Sequence, residues 1–155
     1  RLHMENSENS IERQIEIKAP IEKVWKSLTD TKQFGKWFGV ILESEFVTGQ
    51  TTKGRNTAKG FEMPMAFHVK KITPQNYFSY AWTPFPLDQS FDYSKEEPTL
   101  VEFFLEQKGD ITNLKVIESG FNLITASRRA EAFRMHSGGW EAQLNNISQF
   151  INNAS

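Results

Sequence analysis

Glu118 is the residue whose type and position most readily suggest chemistry in this sequence. It follows Leu114 and Val116 at intervals of two residues, which places it on the presumed inner face of a strand. A carboxylate that faces an apolar cavity would have a raised pKa and could bind or transfer a proton. Alternatively, Glu118 lies at the end of its strand, where it is solvated or paired with Arg128 or Arg129. The rarity of buried Glu without a partner favours this second interpretation.

Aromatic residues are the other distinctive feature of the sequence, which contains 13 Phe, 4 Trp and 3 Tyr. Most of them should fill the core, and some could line a ligand cavity. Phe78, Tyr80 and Trp82 share one face of a predicted strand, so they either form a cavity wall or pack against a helix. The predicted cavity residues are Trp37, Phe67, Phe78, Tyr80, Trp82, Phe103, Glu118, Phe133 and Trp140.

Two further segments allow both a functional and a purely structural interpretation. Gly138 and Gly139 lie inside a predicted helix, where each costs roughly 1 kcal/mol relative to Ala. They leave room for a ligand beneath the helix or, as we slightly favour, allow tight packing against two short helices. The segment from Thr83 to Pro98, which includes Phe85 and Leu87, is either a lid over a binding site or a compact surface loop.

Metal, cofactor and nucleotide sites find no support in the sequence. His68 and His136 are isolated, neither has a neighbour at metal-ligand spacing, and there is no Cys. A Gly-rich phosphate loop, a nucleophile elbow and an acid–base pair recognisable by spacing are also missing. We therefore predict no bound metal and no cofactor.

Charge and hydrophobicity narrow the partners and the location. The formal net charge of -1 provides no long-range field to attract nucleic acid. No apolar run approaches the roughly 20 residues of a membrane span, and no secretory leader opens the chain. Because Cys is absent, we expect a soluble, cytoplasmic protein. Arg1 to His3 resemble a cloning remnant, so we assign residues 1–9 to a tag remnant and disordered terminus and residues 10–153 to one domain.

The hydrophobic pattern predicts a strand, two short helices and six further strands. Ile11, Ile15 and Ile17 alternate with polar residues, which is typical of a strand with one solvated face. Asp30 should cap the second short helix, and Gly39 should end it. The predicted strands are Ser10 to Lys18, Val40 to Val47, Thr51 to Lys59, Met65 to Thr73, Tyr77 to Thr83, Thr99 to Gln107 and Thr112 to Ser119.

A long helix from about Ala126 to Asn152 completes the chain. Its apolar stripe consists of Phe133, Trp140, Leu144, Ile147 and Ile151. A helix of this length must cross a whole sheet. Because the strands come in a run and the helix follows them, the fold class is α+β rather than alternating α/β.

Four stretches of the sequence resemble a known group of proteins. They are Ala19-Pro20 with Val24-Trp25 and Leu28-Thr29; Phe34 with Lys36-Trp37-Phe38; Thr99-Leu100-Val101 through Phe103 and Thr112 to Glu118-Ser119-Gly120-Phe121; and Gly139-Trp140 with Leu144. In this order they resemble the START/Bet v 1-like (SRPBCC) superfamily, and within it small relatives of the C-terminal domain of the activator of Hsp90 ATPase.

The resemblance implies a helix-grip fold, in which a curved seven-stranded antiparallel sheet wraps around the long C-terminal helix. Members of the superfamily include ligand carriers, cyclases, lipid-transfer domains and co-chaperone modules. The N-terminal domain of the eukaryotic activator, which carries its main chaperone contact, has no counterpart here.

Three functions remain open at this point. The leading hypothesis is the binding of a small, mainly apolar molecule in a cavity between the sheet and the C-terminal helix. The second is a protein-interaction or co-chaperone-type module, either with a partner at an exposed patch around Trp37, Phe38 and Phe85 or as a homodimer. The third is a cyclase- or hydrolase-like enzyme that uses the carboxylate of Glu118, and we rank an enzyme below a binding protein.

Overall fold

A computed structural model describes residues 9–60, 62–84, 86, 88 and 90–153. Its elements are β1 (Ser10–Ile17), α1 (Ile21–Thr29), α2 (Thr31–Phe38), β2 (Val40–Leu42), β3 (Thr51–Asn56), β4 (Pro64–Thr73), β5 (Tyr77–Trp82), β6 (Thr99–Lys108), β7 (Ile111–Ser119) and α3 (Ala126–Asn153). Residues 1–8 of the predicted tag remnant and disordered terminus (1–9) lie outside the described residues, as do Phe85 and Leu87 of the predicted lid or surface loop.

The seven strands form one antiparallel sheet in the order β1-β7-β6-β5-β4-β3-β2. With the two short helices after β1 and the long helix at the end, this confirms the predicted α+β fold of the helix-grip type. The second strand is shorter than predicted, because regular pairing with β3 stops at Leu42 and the chain turns away after Glu43. The described helices include none that is long and apolar enough to span a membrane.

The short helices begin and end where the sequence indicates. The side chain of Asp30 accepts a hydrogen bond from the backbone N–H of Gln33 at 3.0 Å, which caps the start of α2. Gly39 ends the helix in the left-handed conformation, with φ of 91°. Within α2, a β-carbon at Gly35 would collide with the carbonyl oxygen of Val40, so only glycine allows β2 to follow the helix so closely.

The core lies between the concave face of the sheet and the three helices. The inner face of α3 buries Ala132, Trp140, Leu144, Ile147 and Ile151. Phe133, which the predicted stripe included, is only partly buried and packs on Phe121 with ring centroids 5.2 Å apart. The 28 residues of α3 correspond to about 42 Å, which is enough to cross the sheet.

Candidate functional site

Glu118 is fully buried and accepts four hydrogen bonds. The indole Nε1 of Trp82 and the hydroxyl of Thr99 donate to Oε2 at 2.8 and 2.5 Å. The indole Nε1 of Trp140 donates to Oε1 at 2.8 Å, and Nδ1 of His136 lies 2.7 Å from the same oxygen. An ionised carboxylate only accepts, so Nδ1 must carry a proton. These four donors occupy the hydrogen-bonding capacity of the carboxylate.

Three strands and one helix bring these groups together. Trp82 at the end of β5 pairs directly with Thr99 at the start of β6. Glu118 lies opposite Val101 on the neighbouring strand β7, with its side chain on the inner face. His136 and Trp140 are four residues apart, so they occupy the same face of α3 and reach the carboxylate together.

The pKa of Glu118 is lowered, and not raised as the cavity interpretation implied. Burial by itself raises the pKa of this carboxyl, but the charge and hydrogen bond of His136, together with the bonds from Thr99 and Trp82, outweigh that effect. The less favoured interpretation, a carboxylate with a raised pKa, was therefore wrong because it considered the apolar surroundings and not the donors within them.

Neither arginine that we considered as a partner of Glu118 pairs with it. Arg128 forms a salt bridge with Glu96 at 2.6 Å, and Arg129 donates to the carbonyl of Ile124 at 2.9 Å. The favoured interpretation, a solvated or Arg-paired Glu118, was wrong. The interpretation of His136 as isolated was also wrong, because the ring pairs with Glu118. The four-residue spacing from His136 to Trp140 and the inward-facing position of Glu118 are both visible in the sequence.

A cleft of about 740 Å³ opens beside this cluster. His136, Gly139 and Trp140 of α3 form one wall, and residues of β3 and β4 form the other. Its complete lining is Phe38, Glu43, Lys53, Gly54, Arg55, Asn56, Ala58, Met63, Pro64, Met65, Ala66, His68, Trp82, Thr83, Pro86, Tyr93, Met135, His136, Gly139, Trp140 and Gln143. The lining thus includes four aromatic and three methionine side chains, with two cationic side chains on β3.

Two of the predicted cavity residues, Trp82 and Trp140, line this cleft, with their rings stacked 5.9 Å apart. Phe67, Phe78, Tyr80 and Phe103 are fully buried in the aromatic core between sheet and helices. Trp37 is 5% exposed and donates from Nε1 to the carbonyl of Ser27 at 2.8 Å. Phe133 packs on Phe121, and Glu118 lies behind the cleft wall.

Tyr80 carries a buried hydroxyl that has no hydrogen-bond partner among the described residues. Burial and the nearby charge of Glu118 raise the pKa of this phenol well above its ordinary value. The hydroxyl is therefore neutral and unsatisfied, which costs stability.

Gly138 and Gly139 are not sites of tight packing. No described residue, apart from the helix's own nearby backbone, lies within 4 Å of a β-carbon placed at either position. The favoured structural interpretation was thus wrong for both residues. Gly139 lines the cleft, whereas Gly138 does not.

The segment after β5 is tied to the beginning of α3. The side chain of Glu96 is 2% exposed and accepts two hydrogen bonds from the guanidinium of Arg128, at 3.0 and 2.6 Å. The same guanidinium lies over the ring of Tyr93, 4.8 Å from its centroid. Because Tyr93 also lines the cleft, the Glu96–Arg128 ion pair helps to position part of the cleft lining.

Among the described residues, no group of three or more His, Asp or Glu side chains could hold a metal ion. The polar groups at or directly behind the cleft wall include one His–carboxylate pair and the N–H groups of two indoles.

Comparison with known proteins agrees with this architecture. The family model for activator of Hsp90 ATPase homolog 1-like proteins matches residues 18–152. Protein MLL2253 from Mesorhizobium loti is 19% identical, with a TM-score of 0.75 over 94% of this chain and 98% of that one. The Aha1 dimer from Colwellia psychrerythraea is 21% identical, with a TM-score of 0.69 over 92% and 95% of the two chains.

A protein from Arthrobacter aurescens is 15% identical, with a TM-score of 0.73 over 94% of this chain and 87% of that one. No curated protein shows significant sequence similarity to the chain. At these identities the solved structures establish the fold, and the family match covers most of the chain. The chain therefore belongs to the family of activator of Hsp90 ATPase homolog 1-like proteins, as the resemblance in its sequence predicts.

Proposed function

We propose that this protein binds a small, mainly apolar molecule in the cleft between α3 and strands β3 and β4. The observation that carries the proposal is the cleft itself, of about 740 Å³ and walled by the stacked indoles of Trp82 and Trp140. This volume is within the range of small-molecule sites, which are mostly apolar with a few fixed polar groups. Affinity would come from the burial of apolar surface, at about 25 cal/mol per Å².

The rigidity of the wall supports this function. Glu118 holds both indole N–H groups, at 2.8 Å each, so the two rings are fixed before a ligand arrives. A site that is already in its bound geometry loses less conformational entropy on binding. The buried carboxylate therefore acts as a positioning group for the aromatic wall and does not itself line the cleft.

Paired substitutions on one helix test the proposal. Gly139→Leu places a side chain into the cleft, whereas Gly138→Leu makes the same change one residue away, outside it. We would screen the protein by thermal shift against pools of fatty acids, aromatic acids and the corresponding alcohols. A ligand at 100 times its Kd adds about 2.7 kcal/mol, which moves the Tm by roughly 6–10 °C in a domain of this size.

We expect at least one pool to raise the Tm of the unmodified protein and of Gly138→Leu, and to leave Gly139→Leu unchanged. If no pool shifts the Tm, or if Gly139→Leu responds like the unmodified protein, the cleft is not the binding site.

The two other functions have weaker support. The interaction patch that we expected includes Trp37, which is buried, and Phe85, which lies outside the described residues. A homodimer remains a prediction, and light scattering on the purified protein would test it. The enzyme hypothesis requires a perturbed acid or base inside a wet cavity, but the perturbed carboxyl of Glu118 is fully buried and does not line the cleft.

A further inference from the structure

His136 is the one partner of Glu118 that also lines the cleft and can carry a positive charge. Its side chain is 16% exposed, and Nδ1 is engaged with the carboxylate. The second ring nitrogen, Nε2, has no hydrogen-bond partner among the described residues. A polar atom at the wall of an apolar cleft is thus available to a ligand.

The ring of His136 faces a buried negative charge through Nδ1. Glu118 is a carboxylate with no exposed surface, and its other donors are the neutral groups of Trp82, Thr99 and Trp140. Among these partners, only His136 can carry the opposite charge that a buried carboxylate needs nearby. With Nδ1–H directed at Glu118, a carboxylate bound at Nε2 would make both ring nitrogens donors.

The charged side chains that line the cleft are mainly positive. The ionisable side chains that line it besides His136 are Glu43, Lys53, Arg55, His68 and Tyr93. The two cations of β3, Lys53 and Arg55, outnumber the single carboxylate of Glu43, and all three side chains are exposed. An anion that enters this cleft meets a net positive lining and the Nε2 atom of His136.

We propose that the ligand is an apolar monocarboxylic acid whose carboxylate accepts a hydrogen bond from Nε2–H of protonated His136, while its apolar body lies against Trp82 and Trp140. A single N–H donor suits a monoanionic head, and such a charge-assisted bond is stronger than a neutral one. This inference rests on the proposed function, because it names the ligand class of the same cleft.

Matched pairs of probes test the inference by calorimetry: octanoate with octanol, and naphthoate with naphthalenemethanol. Each pair shares an apolar body and differs in the charge of the head. We expect the acid of at least one pair to bind at least tenfold tighter than its alcohol, a difference of about 1.4 kcal/mol. In His136→Gln the preference should fall below about threefold, because the alcohol's affinity stays and the acid's decreases.

Arg134→Gln is the control, since it removes a positive charge from the same helix at an exposed position away from the cleft. It should retain the full preference for the acid. If His136→Gln does not fold because Glu118 loses its partner, the double variant Glu118→Gln/His136→Gln removes both charges together and should likewise lose the preference.

A measurement on the unmodified protein avoids any folding defect. In ¹⁵N NMR, the Nε2 signal of His136 should move on addition of the acid that binds and stay in place with the matched alcohol. Equal affinity for acid and alcohol, or a preference that survives in His136→Gln, would overturn the inference and leave the proposed function intact. Failure of all four probes to bind would count against both.

Discussion

Glu118 shows how a buried carboxylate can be structural and still determine the wall of a cleft. Its two oxygens collect donors from β5, β6 and α3, so one residue fixes the rings of Trp82 and Trp140. The bond from Thr99 and the pairing with His136 offset the cost of burying the charge. Tyr80, which is buried in the same aromatic core, lacks such compensation.

We predict that Tyr80→Phe stabilises the protein. The substitution removes a buried hydroxyl that has no hydrogen-bond partner among the described residues. It keeps the ring, whose centroid lies 5.0 and 5.2 Å from those of Phe67 and Trp82. The free energy of unfolding should rise by about 1 kcal/mol, measured by urea denaturation. A loss of stability of similar size would show that the hydroxyl is satisfied, for example by a buried water.

At the scale of elements, α3 serves both the core and the cleft. Its inner face packs Leu144, Ile147 and Ile151 onto the sheet, and its middle turns carry His136, Gly139 and Trp140 at the cleft. The short helix α2 is held differently, through a close approach to β2 that depends on Gly35. Gly35 in α2 and Gly138 in α3 should therefore respond to substitution in opposite directions.

We expect Gly138→Ala and Gly35→Ala to shift stability with opposite signs. Gly138 is exposed in α3 with open space at the β-carbon, so Ala should add roughly 0.5–1 kcal/mol through helix propensity. Gly35 faces the carbonyl of Val40, so Ala there should cost about 1–3 kcal/mol through overpacking.

Thermal unfolding of the two variants measures both effects. The two variants share one chemical change, so each serves as the control for the other. Equal shifts in the same direction would contradict the close approach of α2 and β2.

At the scale of the whole molecule, a salt bridge holds the segment between β5 and β6 against the helix that closes the core. The side chains of Arg128 and Glu96 are 14% and 2% exposed. The guanidinium of Arg128 also lies over the rings of Phe91 and Tyr93. The pKa of Glu96 is lowered: burial raises it, and the hydrogen bonds and charge of Arg128, with a backbone bond from Thr125, more than compensate. This pairing links the stability of the fold to pH.

We predict that Glu96→Gln flattens the acid side of the stability profile. A carboxyl whose folded pKa is lowered contributes stability above its unfolded pKa of about 4.3 and loses it as the pH falls through the folded value. The unmodified protein should therefore lose stability more steeply than Glu96→Gln below about pH 4.3, as judged by urea denaturation at several pH values. Some slope should remain in the variant, because the pKa of Glu118 is lowered too.

Glu106→Gln is the matched control for this profile. Glu106 lies 3.9 Å from Lys108 with 70% of its side chain exposed, and exposed pairs contribute little. Its profile should follow that of the unmodified protein. Parallel profiles for Glu96→Gln and the unmodified protein would contradict the contribution of the Glu96–Arg128 pair.

Local patterns in the sequence determined the elements and their order. The alternation of Ile11, Ile15 and Ile17, the cap at Asp30 and the stripe of α3 all depend on contacts within a few residues, which is why the α+β fold was predictable. The motifs around Gly139-Trp140 and Glu118-Ser119-Gly120-Phe121 also pointed to the correct family.

Tertiary structure decided the site, because it depends on atoms that are far apart in the chain. The partners of Glu118 come from three elements, and the nearest in sequence, His136, is 18 residues away. Alternation placed the carboxylate inside, but no local pattern could show whether donors or only apolar groups surround it there, and that difference reverses the direction of its pKa shift. The inward aromatics were equally ambiguous, because a shared strand face does not tell a packed core residue such as Phe78 from a cleft residue such as Trp82.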